Sequence, residues 1–580
     1  MILIRRVYGS SAPPDRNVVR QVQEIFRASY PEVAGYASKI PRMLNDPVGH
    51  QYRTILLVSE TSTHRITGFA LLIHFHEIRS SLLDFLVVSP GVRGSGIGGA
   101  LYEAAREYLR DLGSMGIYME VLPDDPALEK RPGKLEENRK RLRFYEQYGV
   151  LPIVGTDYET PVAGDDAAPF LLFDPLARQE PLGRREARAA VRLILDRKYA
   201  HIVGPDYMSR VVRSFRDDPV RFRPPRYVRP RDEKPEIGPS RLQKAFALVR
   251  GEAHAIHHVR ERGYVERPAR IGAIHESVAA TGLFAAAPVK KHGEARLRSV
   301  HDGDFVSYLK AACGRMPDKS PVYPYVFPIR RPERRPKDLA VRAGYYCIDT
   351  FTPLYRGAYS AACEAVDVAL TAANELLRGR RVAYALCRPP GHHAGRRTFG
   401  GFCYFNNAAI AADLLAARGK VAVLDIDYHH GNGTQDIFYQ RGDVLTLSIH
   451  GHPNIAYPYF SGFSDETGEG RGRGLNRNYP LPEGADRAPY LDALDRAMRH
   501  VRRFAPAFLV VSLGFDILKG DPTGTFRLPV SVEREIGARI AEAGTPILFV
   551  QEGGYNLRNL RRGAPALFTG LARALDGKHP

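Results

Sequence analysis

Two histidines directly follow a Pro-Pro-Gly turn in the run RPPGHH, Arg388 to His393. Farther along, Asp425, Asp427 and His429 stand at i, i+2 and i+4 in DIDYH, Asp516 closes GFD, and Tyr555 closes QEGGY. Residues so spaced on a strand running into its loop point to one side. Two carboxylates and one imidazole form a hard to borderline donor set, and three protein ligands with an open fourth position suit catalytic zinc. In that reading Asp427, His429 and Asp516 are the ligands. Asp425 orients an imidazole and helps to hold a monovalent cation. Of His392 and His393, one takes a proton from an attacking water and returns it to a leaving amine, while the other acts as an electrostatic partner. Tyr555, after two glycines that allow close backbone approach, offers its hydroxyl to a developing oxyanion. The chemistry is amide hydrolysis. Any one of these pieces alone is equally well explained by packing; their combination, in this order, is not.

The elements that must position them are short apolar runs: VAYALC (382–387), VAVLDID (421–427), VLTLSI (444–449), FLVVSL (508–513) and PILFV (546–550). Helical stretches such as NNAAIAADLLAARG (406–419) separate several of them. Apolar runs alternating with helices predict a parallel sheet covered on both faces. In open parallel sheets, ligands gather at the C-terminal strand ends. The chemically equipped segments follow such ends.

A second motif lies near the N-terminus. SLLDFLVVSPGVRGSGIGGALYEAAREYLRDLG, 81–113, reads as a strand, a glycine-rich turn and an amphipathic helix whose face carries Ile97, Leu101, Ala105, Tyr108 and Leu112. Backbone N–H groups at such a helix start can cradle a pyrophosphate. The turn also fits a tight structural turn or a dinucleotide site.

The chain has 580 residues, with 83 Lys+Arg against 64 Asp+Glu, a net charge of +19, while 44% of residues are hydrophobic and 25% charged. These are globular proportions, so the chain is a folded basic protein and not a disordered polycation. Between 181 and 240 there are 15 Lys+Arg and 8 Asp+Glu, a net +7 from 15 minus 8. Within that segment RREARAAVRLILDRKY has helical spacing, and RFRPPRYVRPRDEKPEIGP (221–239) cannot be helix. The segment reads as a docked basic tether. The five cysteines, Cys313, Cys347, Cys363, Cys387 and Cys403, form no close pairs and no disulfide framework. No apolar stretch reaches membrane-span length, and a reducing cytoplasm is the expected compartment.

The C-terminal motifs RPPGHHAG, GGFCYFNNAAIAA, LDIDYHHGNGTQDIFY, LSIHGHP, GFDILKGDPTG and EGGYNL resemble the histone deacetylase superfamily, most closely its bacterial acetylpolyamine amidohydrolases. The resemblance implies an arginase/deacetylase α/β/α sandwich with a parallel sheet. It places zinc, or ferrous iron, on Asp427, His429 and Asp516, and a structural K+ or Na+ at Asp425, Asp427, His429, Ser448 and the Ile449 carbonyl. It makes His393 the general base beside His392, and Tyr555 the transition-state tyrosine. Asn432 stands where some members carry Asp, which predicts a less basic His393. Gly401 and Phe402 match the acyl-lysine channel wall, and Asp349 matches a rim acid that binds substrate.

The Arg-x-x-Gly-x-Gly turn, GIYMEVLP (116–123) and NRKRLRFYEQYGV (138–150) resemble GNAT-superfamily N-acetyltransferases. That implies a mixed-sheet domain with acetyl-CoA on the backbone of Val92, Arg93, Gly94, Ser95, Gly96, Ile97 and Gly98. Tyr145 becomes a candidate acid for the departing thiolate, and Asp84 or Glu120 a candidate base. The expected organisation is an α/β protein with a GNAT-like domain at 1–173, a basic Arg/Pro-rich linker at 174–240 and a zinc-dependent deacetylase domain at 241–580.

The segment 320–346 resembles the loop by which acetylpolyamine amidohydrolases dimerise and narrow their entrance, so a homodimer and a thin acetylated amine substrate are expected. Its cations, Arg330, Arg331, Arg334, Arg335 and Lys337, would repel a polyamine if they faced the channel; otherwise Asp338 and Asp349 could receive the amine. A protein acetyl-lysine deacetylase working near nucleic acid is the alternative. Without an aromatic-interleaved basic motif, no nucleic acid partner is expected, nor a membrane.

Overall fold

The structure, a computed structural model, describes residues 2–10, 13–61, 64–92, 96–159, 168–176, 178, 180–227, 242–256, 264–316, 321–331 and 333–577. Arg93, Gly94 and Ser95 of the glycine turn, and the proline-rich stretch beyond Tyr227, lie outside the described residues. Contacts divide the chain into two units, residues 1–233 with 261–263, and 234–260 with 264–580.

The first unit is built on strands β1 (Ile2–Val7), β2 (Arg53–Thr61), β3 (Ile66–Phe75), β4 (Ser80–Val88), β5 (Ile117–Val121), β6 (Leu151–Pro152) and β7 (Phe170–Asp174), in the order β1-β2-β3-β4-β5-β7-β6. Its neighbours run antiparallel except β4 and β5. The near-continuous apolar runs of β2 and β3 are buried on both faces because helices cover both. The helix Ile97–Asp111 packs through Ile97, Leu101, Ala105 and Tyr108 on a face with Leu57, Leu72, Leu83 and Met119. The opposite face, with Val58, Leu71, Ile73 and Tyr118, receives the helix Pro13–Ser29 through Val18, Val22 and Phe26.

That second face also takes two helices from the segment expected to be a linker. Arg184–Lys198 buries Ala187, Ala190, Val191, Ile194 and Leu195, and Pro205–Ser214 buries Val211 and Val212. With Phe215 and Val220 they complete the core around Val7, Phe26 and Phe173. The spacing of the five apolar residues of the first helix is a complete amphipathic stripe, which the arginines on its other side concealed in the charge count. Beyond Val220, Arg223 is buried against Asp124 (2.7 Å) and Glu146 (3.5 Å). The linker reading therefore gives way, as far as Tyr227, to part of the first unit.

The second unit has an eight-stranded, all-parallel sheet of β8 (Phe246–Arg250), β9 (Phe284–Ala287), β10 (Val382–Leu386), β11 (Val421–Asp425), β12 (Val444–Gly451), β13 (Asn476–Leu481), β14 (Phe508–Leu513) and β15 (Ile547–Gln551), ordered β13-β12-β11-β14-β15-β10-β8-β9. Helices Arg356–Leu377 and Asn407–Ala416 cover one face. Ala269–Ala279, Arg487–Phe504, Val532–Ala541 and Leu557–Asp576 cover the other, giving three layers. The five cysteines are unpaired. Among the described residues no helix is long and apolar enough to cross a membrane.

Candidate active site

Strands β11, β14, β15 and β10 are consecutive neighbours in the middle of the parallel sheet. Their C-terminal ends run into Asp425–His429, Asp516, Tyr555 and Arg388–His393, so strand order alone brings these segments together. Asp427, His429 and Asp516 each offer a ligand atom within 4.8 Å of the others. His429 Nδ1 lies 3.2 Å from Asp427 Oδ1 and 3.1 Å from Asp516 Oδ2.

The remaining oxygens are committed. Asp427 Oδ1 accepts from His429 N (2.9 Å), its Oδ2 from Gly553 N (2.7 Å), and Asp516 Oδ1 from Tyr428 N (3.0 Å). A Cβ on Gly553 would stand 2.4 Å from both Asp427 Oδ2 and Asp516 Oδ2, so only bare backbone can seat the two carboxylates here. Burial and the nearby Asp427 carboxylate push Asp516 up to about 7. Against burial, the same two carboxylates raise His429 to about 9. Two buried acids crowded on one imidazole call for a cation, and their donor chemistry fits a divalent metal.

His392 and His393 stack with ring centroids 4.0 Å apart but have different partners. His392 Nδ1 is 2.9 Å from Asp425 Oδ2, and against burial this carboxylate raises the imidazole to about 10. His393 Nδ1 is 2.7 Å from Asn432 Oδ1; burial, then the neighbouring imidazoles of His392 and His429, push it well below the usual histidine value. The two rings are thus pushed in opposite directions, His392 towards its charged form and His393 towards its neutral one. Asp425 Oδ1 also accepts from Asp427 N (3.0 Å), and Ser448, its register partner on β12, bonds His450 Nδ1 (2.8 Å).

A second group, His392, Cys403 and Glu552, also brings ligand atoms within 4.8 Å of one another. It does not suit a metal. His392 Nδ1 is held by Asp425, Cys403 Sγ donates to Gly401 O (3.3 Å), and burial keeps that thiol far above its ordinary pKa.

An aromatic wall surrounds the histidines. Phe402 stands edge-on to Tyr264 (5.1 Å), Phe351 (5.7 Å) and Tyr555 (5.8 Å), and Tyr457 stands perpendicular to His393 at 4.8 Å. Gly401, at φ +57°, lies so close that a Cβ there would be 2.1 Å from His393 Cδ2. Asp349 is not at the rim. It is buried, accepting from Gly401 N (2.5 Å), Phe351 N, Thr352 N, Thr352 Oγ1 and the Tyr457 hydroxyl (3.1 Å), and so fixes the wall instead of meeting solvent. Asp338 caps the helix Leu339–Tyr346 by accepting from Val341 N. The buried Asp349 is therefore not placed to receive an amine from solvent, whereas Asp338 remains exposed. Arg330, Arg331, Arg334, Arg335 and Lys337 are exposed, with Arg335 paired to Asp304 (2.9 Å).

Several residues that hold the site carry little sequence signal. Arg270 donates to Gly554 O (2.6 Å) and Glu552 O (2.5 Å), lies 4.7 Å from the Tyr555 ring centre, and pairs with Glu266 (2.9 Å), which also holds Arg388 (2.8 Å). The Glu266–Arg270 spacing reads as an ordinary helical i,i+4 pair. Asp521 accepts from Tyr555 N (2.6 Å), and Glu552 from Gly391 N (2.6 Å) and His392 N (3.2 Å). Glu552, inside QEGGY, was the most accessible to sequence reasoning.

In the first unit, the turn expected to bind acetyl-CoA is described at Val92 and from Gly96 (φ +80°) through Ile97 and Gly98. Tyr145 is buried against Tyr102 and Phe144, and burial raises its phenol. Asp84 and Glu120 are not solvated. Lys198 Nζ lies 2.7 Å from each of them. Burial works against charge on Glu120, but Lys198 and the hydroxyls of Tyr158 and Tyr199 hold its pKa below the ordinary value. A depressed acid contributes stability above its unfolded pKa of about 4.3, and that contribution is lost as pH falls through the folded value. Hydrogen exchange of full-length protein should therefore show the segment containing Lys198 losing protection at acid pH, with Glu120→Gln removing that pH-dependent increment. An unchanged acid profile in the variant would refute this assignment.

A parallel sheet with carboxylates, imidazoles and a phenol gathered at adjoining strand ends is the arrangement of an α/β-class enzyme equipped for amide hydrolysis. The chain belongs to the histone deacetylase family: residues 264–571, over half of it, match the histone deacetylase domain. Residues 19–130 match the acetyltransferase (GNAT) family. Acetylpolyamine amidohydrolase 2 of Pseudomonas aeruginosa is 42% identical over 54% of this chain and 94% of its own length. The acetylpolyamine amidohydrolase of Mycoplana ramosa is 39% identical over 54% of this chain and 91% of its own. A crystal structure of acetylpolyamine aminohydrolase from Burkholderia pseudomallei superposes with a TM-score of 0.54 at 36% identity, covering 57% of this chain and 99% of that one.

Proposed function

We propose that the second unit hydrolyses the acetamide of small N-acetylated amines of the acetylpolyamine type, with zinc held by Asp427, His429 and Asp516. The observation that carries this reading is the close approach of His429 Nδ1 to both carboxylates, beside one histidine held by Asp425 and another held by Asn432. A bound divalent cation polarises the acyl carbonyl and makes water more acidic. His393, held through Nδ1 by Asn432, takes the proton of the attacking water and delivers it to the departing amine. His392, charged against Asp425, stabilises the negative charge that develops. Tyr555, its phenol kept protonated by burial, donates to the oxyanion. Phe402 and Gly401 border the path of a thin acyl chain.

The same reading assigns a monovalent cation to Asp425, Asp427, His429, Ser448 and Ile449, acetyl-CoA to residues 92–98 of the first unit, and homodimerisation to residues 320–346. That segment exposes Tyr325, Val326 and Ile329. Acetate release should be measured on acetylated polyamines, acetyl-lysine peptides and acetylated metabolites. Chelation is expected to abolish release and one equivalent of Zn2+ per chain to restore it. Acetate release unaffected by complete metal removal would reject the reading, and a preference for the peptides would favour the protein-deacetylase alternative.

A further inference from the structure

The parallel pair β4–β5 keeps register only through Ser81–Ile117, Leu82–Tyr118 and Leu83–Met119. The next residues are Asp84 and Glu120. Asp84 is also the extra residue of a bulge, since β3 pairs Leu72 with Leu83 and Leu71 with Phe85. The two carboxylates thus flank the point where the parallel strands part, just beyond the carboxyl end of their paired stretch.

Side chains from three other segments converge there. Asp84 Oδ2 accepts from the Tyr36 hydroxyl (2.6 Å), Glu120 Oε1 from Tyr158 (2.7 Å), and Glu120 Oε2 from Tyr199 (2.7 Å). The centre is filled by the Lys198 ammonium, 2.7 Å from Asp84 Oδ1 and 2.7 Å from Glu120 Oε2. A structural ion pair needs one acid. Here two carboxylates, themselves held by three phenols, flank one nitrogen at the end of a side chain that reaches in from the last residue of its helix. Lys198 enters from the face opposite the helix Ile97–Asp111, which follows the glycine turn. A thioester carried by the turn and an amine at the carboxylates would thus approach from opposite sides of the parted strands.

We propose that Asp84, Glu120, Tyr36, Tyr158 and Tyr199 form the acceptor site of the first unit, built for a primary alkylammonium, and that Lys198 of this chain occupies it as an internal ligand. This rests on the reading that residues 92–98 hold acetyl-CoA. Burial disfavours charge on Lys198, but Asp84 and Glu120 raise its pKa well above the ordinary lysine value. An ammonium has no lone pair with which to attack a thioester. With Lys198 in place, the unit binds acetyl-CoA and transfers nothing to free amines. With the side chain removed, a primary alkylammonium enters and gives one of its three protons to the Asp84 or Glu120 carboxylate, which frees the nitrogen lone pair. Its nitrogen then forms a bond to the thioester carbonyl carbon, the C–S bond breaks, and sulfur leaves as the thiol with the second amine proton.

The test compares full-length wild type, Lys198→Ala and Lys198→Arg. Transfer is read as release of CoA thiol, because the second unit could remove the acetyl group from the product. Butylammonium is expected to raise the thermal midpoint of Lys198→Ala by several degrees over tetramethylammonium at equal ionic strength, and to leave wild type unmoved. Lys198→Ala with acetyl-CoA and a diamine should release thiol at least tenfold faster than wild type or Lys198→Arg. If Lys198→Ala does not fold, Lys198→Gln replaces it with the same expected results. Absence of the amine-specific shift, equal thiol release in wild type, or acetylation of Lys198 itself on peptide mass analysis would overturn the proposal. Equilibrium dialysis with acetyl-CoA separates the two readings: an amine-specific shift without acetyl-CoA uptake overturns the cofactor reading and leaves the ammonium site standing.

Discussion

Tyr555→Phe is expected to lower the rate constant for acetate release by about 10²–10³, the usual consequence of losing one oxyanion donor. The substitution removes a single oxygen. The ring keeps its edge contact with Phe402 and its place over Arg270, and the backbone N–H keeps Asp521. Substrate affinity should therefore change little, because the lost hydrogen bond strengthens only as charge develops on the acyl oxygen. Metal content should stay at one per chain, since Tyr555 is not in the Asp427, His429, Asp516 group. Steady-state rates with metal analysis on the same sample decide the matter. Activity within threefold of wild type would remove Tyr555 from the mechanism.

Glu266→Gln is expected to destabilise the second unit by about 3–5 kcal/mol, the cost of removing one partner from a buried charged group. Glu266 Oε1 receives both Arg270 Nη1 and Arg388 Nε, and the side chains of all three are inaccessible to solvent. The neutral amide leaves two guanidinium ions facing each other without that carboxylate. At about 2–4 °C per kcal/mol for a unit of this size, the thermal midpoint should fall by about 6–20 °C. The same guanidinium anchors the carbonyls of Glu552 and Gly554, so acetate release should fall even where the protein remains folded. A loss of less than about 1 kcal/mol in denaturant titrations would show that Arg270 and Arg388 have sufficient other partners.

The active-site residues were legible because strand ends in a parallel sheet advertise themselves. Asp425, Asp516 and Tyr555 each follow an apolar run long enough to read, and their strands prove to be neighbours. Strands β8, β9 and β13 escaped notice. FALVR and FAAA are short, and NRNYPL alternates without an apolar core. Asp349 shows what spacing cannot supply. The family resemblance implied a rim acid, whereas its place is decided by the neighbouring Thr352 and by Gly401 and Tyr457, which approach it from distant segments. Lys198 was hidden differently. A lysine at the end of an amphipathic helix is an ordinary complement to the helix dipole, and nothing in RREARAAVRLILDRKY tells which way it turns.

The two helices that close the first unit's sheet also set where this chain can be divided. Fully burying six of their side chains and the adjoining loop's, Val191, Ile194, Leu195, Val211, Val212 and Phe215, is worth on the order of 10 kcal/mol, as an upper estimate. That equals the whole stability of a typical domain, about 5–15 kcal/mol. A fragment ending near residue 175 would expose this face and lack Lys198, so its behaviour would report on a damaged core and an opened pocket together. The first unit's core is complete only in a piece that runs through Tyr227. A gene fusion, a proteolytic cut or a transplanted half that respects the chemistry has to place its junction after that residue.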